Sequence, residues 1–301
     1  MKISGFSFVK NAVKLYYPIA ESIKSMLPIV DEFIIACGDS DDGTTELIRS
    51  IGDPKIKIIE TVWNPGHFVH GAVNAVQSNI ALDACKGDWC FYLQADEVVH
   101  EKYLTVLTDK MQEYLDKPDV EGLLFDYKHF YGSYNLYQTA HNWYAKEIRI
   151  VRNGIGVRSW ESAQGFRIDG RKLKVVSADA EIFHYGWVRP PVKMMKKQIA
   201  LSSVHHEKGW VEKRYPDSEA EFNFGSLKTC RRFKGTHPAV MKERIDSLDW
   251  EAKPSKPNKK DHKHDRLSVR ILTFLENNIF HRKLGEYRNY VLIDNPLKKE
   301  R

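Results

Sequence analysis

In the run Trp89-Cys90-Phe91-Tyr92-Leu93-Gln94-Ala95-Asp96-Glu97, five apolar or aromatic residues pass without a polar break into an amide and two carboxylates. A strand that is apolar at every position is covered on both faces, the situation of a parallel strand between helices. The sequence before it repeats the theme: 3–9, 32–37 and 55–61 read as strands. Between them, 15–27 is amphipathic with Pro18 in its first turn, 45–51 reads as a helix closed by Gly52, and a longer helix covers roughly 70–85. After the quoted run, Leu104, Leu107, Met111 and Leu115 share a helix face until Pro118. Strand and helix in alternation predict an α/β fold, a mainly parallel Rossmann-like sheet with helices on both faces. Ligands of such sheets bind at the carboxyl ends of the strands. Two polar loops fall there, 38–44 and 94–97.

Past Glu121 the pattern changes. Strand-like runs at 122–127, 147–151, 173–176 and 180–185 are joined by loops rich in Gly, Trp and Arg. A basic helix is expected at 190–206, an irregular aromatic stretch at 207–250, a linker at 253–264 and a closing helix at 267–280. The expected division is a domain over 1–190, with a donor side (1–120) and an acceptor side (121–190), then a mostly helical accessory region over 191–301. No glycine-rich phosphate loop and no internal repeat is present.

Composition narrows the function. The 301 residues are 42% apolar, enough for a substantial core, and no stretch offers the roughly 20 consecutive apolar residues of a membrane span. The N-terminus lacks a charged region followed by an apolar core and cleavage site, so the chain is expected to be cytoplasmic. Four separated cysteines without a CxxC pair read as reduced core residues. Residues 253–301 carry thirteen Lys or Arg against six Asp or Glu, so the rest of the chain is near neutral despite the overall +6. That distribution excludes nucleic acid as a partner. The basic segment 253–266, with Lys259 and Lys260 at its centre, is either a solvated linker or a foothold on anionic membrane or an acidic acceptor.

Four constellations carry chemistry. Gly38-Asp39-Ser40-Asp41-Asp42-Gly43-Thr44 places three carboxylates in one strand-to-helix loop, where helix capping explains only one. Asp96 and Glu97, emerging from a buried strand, suit a hard divalent cation that keeps positions open for phosphates. Glu161, beside Trp160, suits a general base if the indole desolvates it. His184, in Ile182-Phe183-His184-Tyr185-Gly186-Trp187-Val188-Arg189, is a core histidine or a metal ligand, with Arg189 near for phosphate.

In this order the motifs resemble family 2 glycosyltransferases, which have the GT-A fold, invert the anomeric centre and use nucleotide sugars. Ser7-Phe8-Val9-Lys10-Asn11 is similar to the family's opening strand, Ser40-Asp41-Asp42-Gly43-Thr44 to the end of its acidic loop, and Gln94-Ala95-Asp96-Glu97 to its Asp-x-Asp motif. Asn79 and Gly87-Asp88 fall between them in family order. The resemblance covers about residues 2–190. It implies Asp96 and His184 as ligands of Mn²⁺ or Mg²⁺ and Glu161 as the base. It also implies Asn11, Asp39, Asp41, Asn79, Gln94 and Arg149 as the set that holds the nucleotide-sugar donor. Two positions depart from the pattern. Gln94 replaces the first acid of the motif, so ribose contact there passes through an amide. The Asp that reads uracil aligns near Cys37 or Gly38, one or two places from Asp39.

The implied reaction is transfer of a hexosyl or N-acetylhexosaminyl group to a glycan or lipid-linked acceptor. A nucleotidyltransferase is the rival enzyme, though Phe8-Val9-Lys10-Asn11-Ala12 lacks its Gly-rich basic loop. A non-catalytic nucleotide- or glycan-binding relative is the rival of another class, with Gln94 as its sign.

Overall fold

The computed structural model describes residues 1–64, 71–228, 230–256 and 262–293. Four strands, β1 (Ile3–Val9), β2 (Glu32–Gly38), β3 (Ile56–Thr61) and β4 (Trp89–Tyr92), form a parallel block in the order β4-β1-β2-β3. Helices α1 (Ile19–Met26), α2 (Thr44–Arg49) and α3 (Ala72–Asp83) connect them. Side chains alternate strictly between two cores. Phe33, Ile35, Trp89 and Phe91 pack towards α1, α2 and α4 (Leu104–Glu113), while Phe6, Ile34, Cys90 and Tyr92 pack towards α3. Helices on both faces are therefore a consequence of strands apolar at consecutive positions.

β5 (Glu97–Val99), β6 (Gly122–Tyr131), β7 (Leu136–Gln138) and β8 (Lys146–Arg152) extend the sheet, with β8 antiparallel between β4 and β6. A three-stranded sheet, β9 (Val157–Trp160), β10 (Gly165–Ile168) and β11 (Arg171–Lys172), lies on the α3 side. The expected strands 173–176 and 180–185 are one, β12 (Lys174–Trp187), paired with both β5 and β6. Its register on β6 shifts between Ser177 and Glu181, where Asp179 takes φ 50°. That bulge is the polar break that reads as a loop in sequence.

Helix α1 begins at Ile19, four residues later than expected, because Pro18 sits at its N-cap. Proline disfavours helical geometry in the residue before it, and the chain before it turns tightly through Asn11 and Tyr16, both at positive φ. Beyond β12 come α5 (Pro191–Ser203), α6 (Lys208–Arg214), β13 (Cys230–Arg232), α7 (Lys242–Asp246), α8 (Leu267–Leu275) and β14 (Val291–Leu292), which pairs with β12. The expected helix at 267–280 continues past α8 as a π-turn over Glu276–Phe280. All four cysteines are free thiols. No helix among the described residues is long and apolar enough to cross a membrane.

Candidate functional site

β1 lies between β2 and β4, so the chain leaves the sheet in opposite directions on its two sides. That split opens a crevice at the carboxyl ends of the strands. A cleft of about 580 Å³ occupies it, lined by Val9, Lys10 and Asn11 after β1, Gln94, Ala95 and Asp96 after β4, and His184 and Lys197 from β12 and α5. Phe8, Trp63, Tyr144 and Trp187 add aromatic wall.

Asp96 is the centre of the charge arrangement. Lys197 Nζ donates to its Oδ2 at 2.8 Å and to Gly186 O at 2.8 Å. Arg189 Nη2 lies 3.8 Å from the same oxygen, and His184 Nε2 faces Oδ1 at 3.8 Å. Burial works against ionisation of Asp96, but Lys197, His184 in its protonated form and Arg189 outweigh it and hold the carboxyl well below the usual range. Burial lowers Lys197 to about 8, which leaves an ammonium at neutral pH.

The two histidines fix each other's protons. His129 Nε2 meets the Tyr144 carbonyl at 2.8 Å, which only accepts, so Nε2 carries the hydrogen. Its Nδ1 therefore accepts from His184 Nδ1–H at 2.9 Å. Burial holds His129 at about 3 and His184 at about 4, so both rings are neutral near pH 7. His184 Nε2 thus points a lone pair towards Asp96 Oδ1. Gly186 lets both side chains pack against the backbone: a Cβ there would overlap His184 Nε2 and stand 2.7 Å from Asp96 Oδ2.

Two facing acceptors without a proton between them, seated against a glycine, fit a divalent cation as two of its ligands. No group of three or more His, Cys, Asp or Glu gathers around a metal position among the described residues. The remaining ligands would be water and ligand oxygens.

Asn11 and Gln94 line the same cleft, and Gln94 Nε2 donates to Ala163 O at 3.2 Å. Asp39 sits at the rim, bonded to Lys10 and to the Trp63 N–H. Asp41 pairs with Lys14, and Asp42 takes the N–H groups of Lys14 and Thr44. The three carboxylates therefore stitch the β2–α2 loop to the β1–α1 loop, which is why capping alone did not account for them.

Besides Asp41, which pairs with Lys14 and does not line the cleft, three expected positions lie elsewhere. Glu97 diverges from Asp96 and is fully buried, holding Arg149 through both carboxylate oxygens at 2.8 Å. Arg149 is likewise fully buried and bonds Gln164 O, so it supports the β10 loop from below and does not line the cleft. Asn79 ties α3 to β9 through both backbone groups of Ser159.

Glu161 stands on the β9–β10 turn at φ 50°, with Ala163 at φ 58°. Its side chain is exposed beside a Trp160 that is itself 43% exposed, so the indole does not enclose it. Its neighbours Ser162 and Gln164 line the cleft, whereas Glu161 itself stands beside it and is not part of the lining. Two non-glycine residues held in the left-handed region on one turn are a pattern common at functional sites.

Sequence reasoning missed Lys197 and Tyr17. The spacing of Met194 and Lys197, three apart on α5 and both buried, was the available signal.

The family model for Glycosyl transferase family 2 matches residues 10–183, more than half of the chain. Nothing matches among curated proteins. Among solved structures, TarS 1–349 of S. aureus overlaps 71% of this chain and 69% of its own at 13% identity and TM-score 0.40. Glucosyl-3-phosphoglycerate synthase of Mycobacterium tuberculosis, in complex with Mn²⁺, UDP and phosphoglyceric acid, overlaps 43% of each chain at 20% identity and TM-score 0.29. Mannosyl-3-phosphoglycerate synthase of Rubrobacter xylanophilus overlaps 43% of this chain and 41% of its own at 18% identity and TM-score 0.31. The chain thus spans under half of each of the last two. Overlaps this loose carry nothing about what this chain binds.

Proposed function

The chain belongs to glycosyl transferase family 2, and from that premise we propose that it moves a sugar, with inversion, from a nucleoside diphosphate sugar to an acceptor hydroxyl. The observation that supports this most is the cluster of Lys197, Arg189 and His184 around Asp96 at the switch point of the sheet. Such a cluster suits a leaving group that departs as an anion.

The base and ribose lie along Lys10, Asn11 and Asp39, with Trp63 and Phe8 as flat faces, and Gln94 lines the sugar–ribose side. Asp96 and His184 would hold a divalent metal, which when bound supplies charge neutralisation for the diphosphate. Lys197, with Arg189 behind it, presents positive charge to the departing oxygens, and a preorganised charge in a cleft of this kind needs little rearrangement as the bond breaks. Glu161, beside the cleft, takes the proton of the acceptor hydroxyl. A positioned base contributes about 10²–10⁴-fold. The donor lies over 1–120, the acceptor side over 121–190, and 191–301 is an accessory region that lends Lys197 to the site.

The basic segment makes peripheral contact with anionic membrane. Lys253, Lys256, Lys263 and Arg266 are described, while Lys259 and Lys260 lie outside the described residues. Just after them α8 exposes Leu267, Ile271 and Phe274, which is the apolar half of an interfacial helix.

The test is release of nucleoside diphosphate from a panel of UDP-, GDP- and dTDP-sugars, with and without an acceptor panel. Turnover of one donor, enhanced by an acceptor and yielding the inverted linkage by NMR, is the expected result. No turnover of any donor, with a nucleoside triphosphate and sugar phosphate consumed instead, would transfer the site to nucleotidyl chemistry.

A further inference from the structure

The two oxygens of Asp96 face different partners. Oδ1 looks at the His184 lone pair, and Oδ2 is capped by Lys197 with Arg189 behind it. A divalent cation on the first oxygen therefore leaves the second with its ammonium, and the two kinds of positive charge do not compete for one seat.

The capped side carries more charge than Asp96 can balance. Arg189 is fully buried; its Nη1 bonds Leu15 O at 2.6 Å, and its Nη2 reaches Asp96 Oδ2 only at 3.8 Å. The guanidinium stacks 4.7 Å above Tyr17, and the Lys197 ammonium stands 5.3 Å from the same ring. Lys197 spends two of its three N–H groups on Asp96 and Gly186 and lines the cleft. His184 and its partner His129 bond to each other, and the nearby Glu97 is spent on Arg149. An ammonium and a guanidinium thus share one carboxylate in a buried place. Uncompensated buried charge is costly, and a bare fold has no use for it. An anion in the cleft completes the balance.

We propose that Lys197, backed by Arg189, is a donor-binding residue for the diphosphate itself, so that nucleoside diphosphate binding survives removal of divalent metal and depends on Lys197. The inference rests on the donor reading above and adds to it a cation that the chain supplies from its accessory region. Lys197 reaches the phosphates from α5 while its neighbour Lys196, one residue away, points outward to Glu219 at 2.7 Å. The two lysines therefore separate binding from general positive charge on the helix.

The experiment is calorimetry of UDP, GDP and dTDP with the full chain in EDTA and in Mn²⁺, for the wild type, Lys197→Met, Lys197→Arg and Lys196→Met. The wild type is expected to bind one of them in EDTA within roughly tenfold of its affinity in Mn²⁺. Lys197→Met should weaken the metal-free binding by roughly 10–100-fold, the scale of a hydrogen bond to a charged group. Lys197→Arg should recover part of the loss, and Lys196→Met should change nothing. Thermal melts identify any variant that has lost its fold, and the wild-type comparison needs no variant. Binding that appears only with Mn²⁺ overturns the inference and leaves the donor reading standing. Unchanged metal-free affinity in a folded Lys197→Met does the same. Absence of binding by any of the three under both conditions overturns both.

Discussion

Gly186→Ala tests whether the geometry around Asp96 is what makes the site. The added methyl would overlap His184 Nε2 and sit 2.7 Å from both Asp96 Oδ2 and His184 Cε1. Relaxed carbon contacts lie at about 3.5–4.0 Å, so one neighbour must retreat by roughly 1 Å. Neither gives easily. His184 is held by His129 and, through it, by the Tyr144 carbonyl, while Asp96 is held by Lys197, which also bonds the Gly186 carbonyl. Overpacking of this kind costs about 1–3 kcal/mol, a drop of several degrees in Tm. A misplacement of about 1 Å in a reacting constellation costs on the order of 10²-fold in rate. Gly209→Ala is the control: a Cβ on that helical glycine meets nothing within 4 Å, and helix propensity favours the change by up to about 1 kcal/mol. The assay is differential scanning calorimetry together with nucleoside diphosphate affinity and donor turnover. A Gly186→Ala protein that melts, binds and turns over like Gly209→Ala would refute the claim that the packing around Asp96 makes the site.

Removing Arg149 leaves the fully buried Glu97 without its partner, so Arg149→Met should cost about 3–5 kcal/mol in denaturant unfolding. The double variant with Glu97→Gln should regain much of that loss; additive costs would show that the pair is uncoupled. Burial pushes the Glu147 carboxyl from its ordinary 4.5 up to about 7, against the pull of Arg149. A raised acid stabilises the fold fully below the unfolded pKa and loses that contribution as pH rises through the folded one. Stability should therefore decline between pH 4.5 and about 7 by on the order of 3 kcal/mol, and Glu147→Gln should flatten that window in pH-dependent melts. Glu161→Gln should keep donor affinity and lower transfer by roughly 10²–10⁴-fold; near-normal turnover would take Glu161 out of the mechanism. Replacing Lys253, Lys256 and Lys263 with Gln should weaken pelleting with phosphatidylserine vesicles by roughly tenfold or more, at about 1 kcal/mol for each basic residue near the surface. Equal pelleting would leave the segment a solvated linker.

The parallel block was legible because its strands are apolar at consecutive positions, which leaves only one layered arrangement that buries them. The cleft was legible for a related reason: the polar residues that interrupt those strands fall at their carboxyl ends. What escaped reading depends on residues far apart in sequence. Glu97 follows Asp96 directly, and in sequence the two look like one acidic pair. The strand β5 begins between them, so one carboxylate turns to the cleft and the other to Arg149, 52 positions away. Lys197 lies on a helix with Lys193 and Lys196, where a basic residue reads as solvated surface. Its burial follows from α5 packing across Gly186, and its bond to Asp96 spans 101 positions. The strand β12 was divided in sequence by Asp179, because a bulge and a turn use the same residues. The consequence for function is a reversal of sign. A motif that reads as acidic becomes, once folded, a single carboxylate shared by an ammonium and a guanidinium, with an imidazole facing its other oxygen. An acidic motif alone argues for a site that collects metal. The assembled one argues for a site that collects an anion, with room for a metal on the side of Asp96 that the cations leave open.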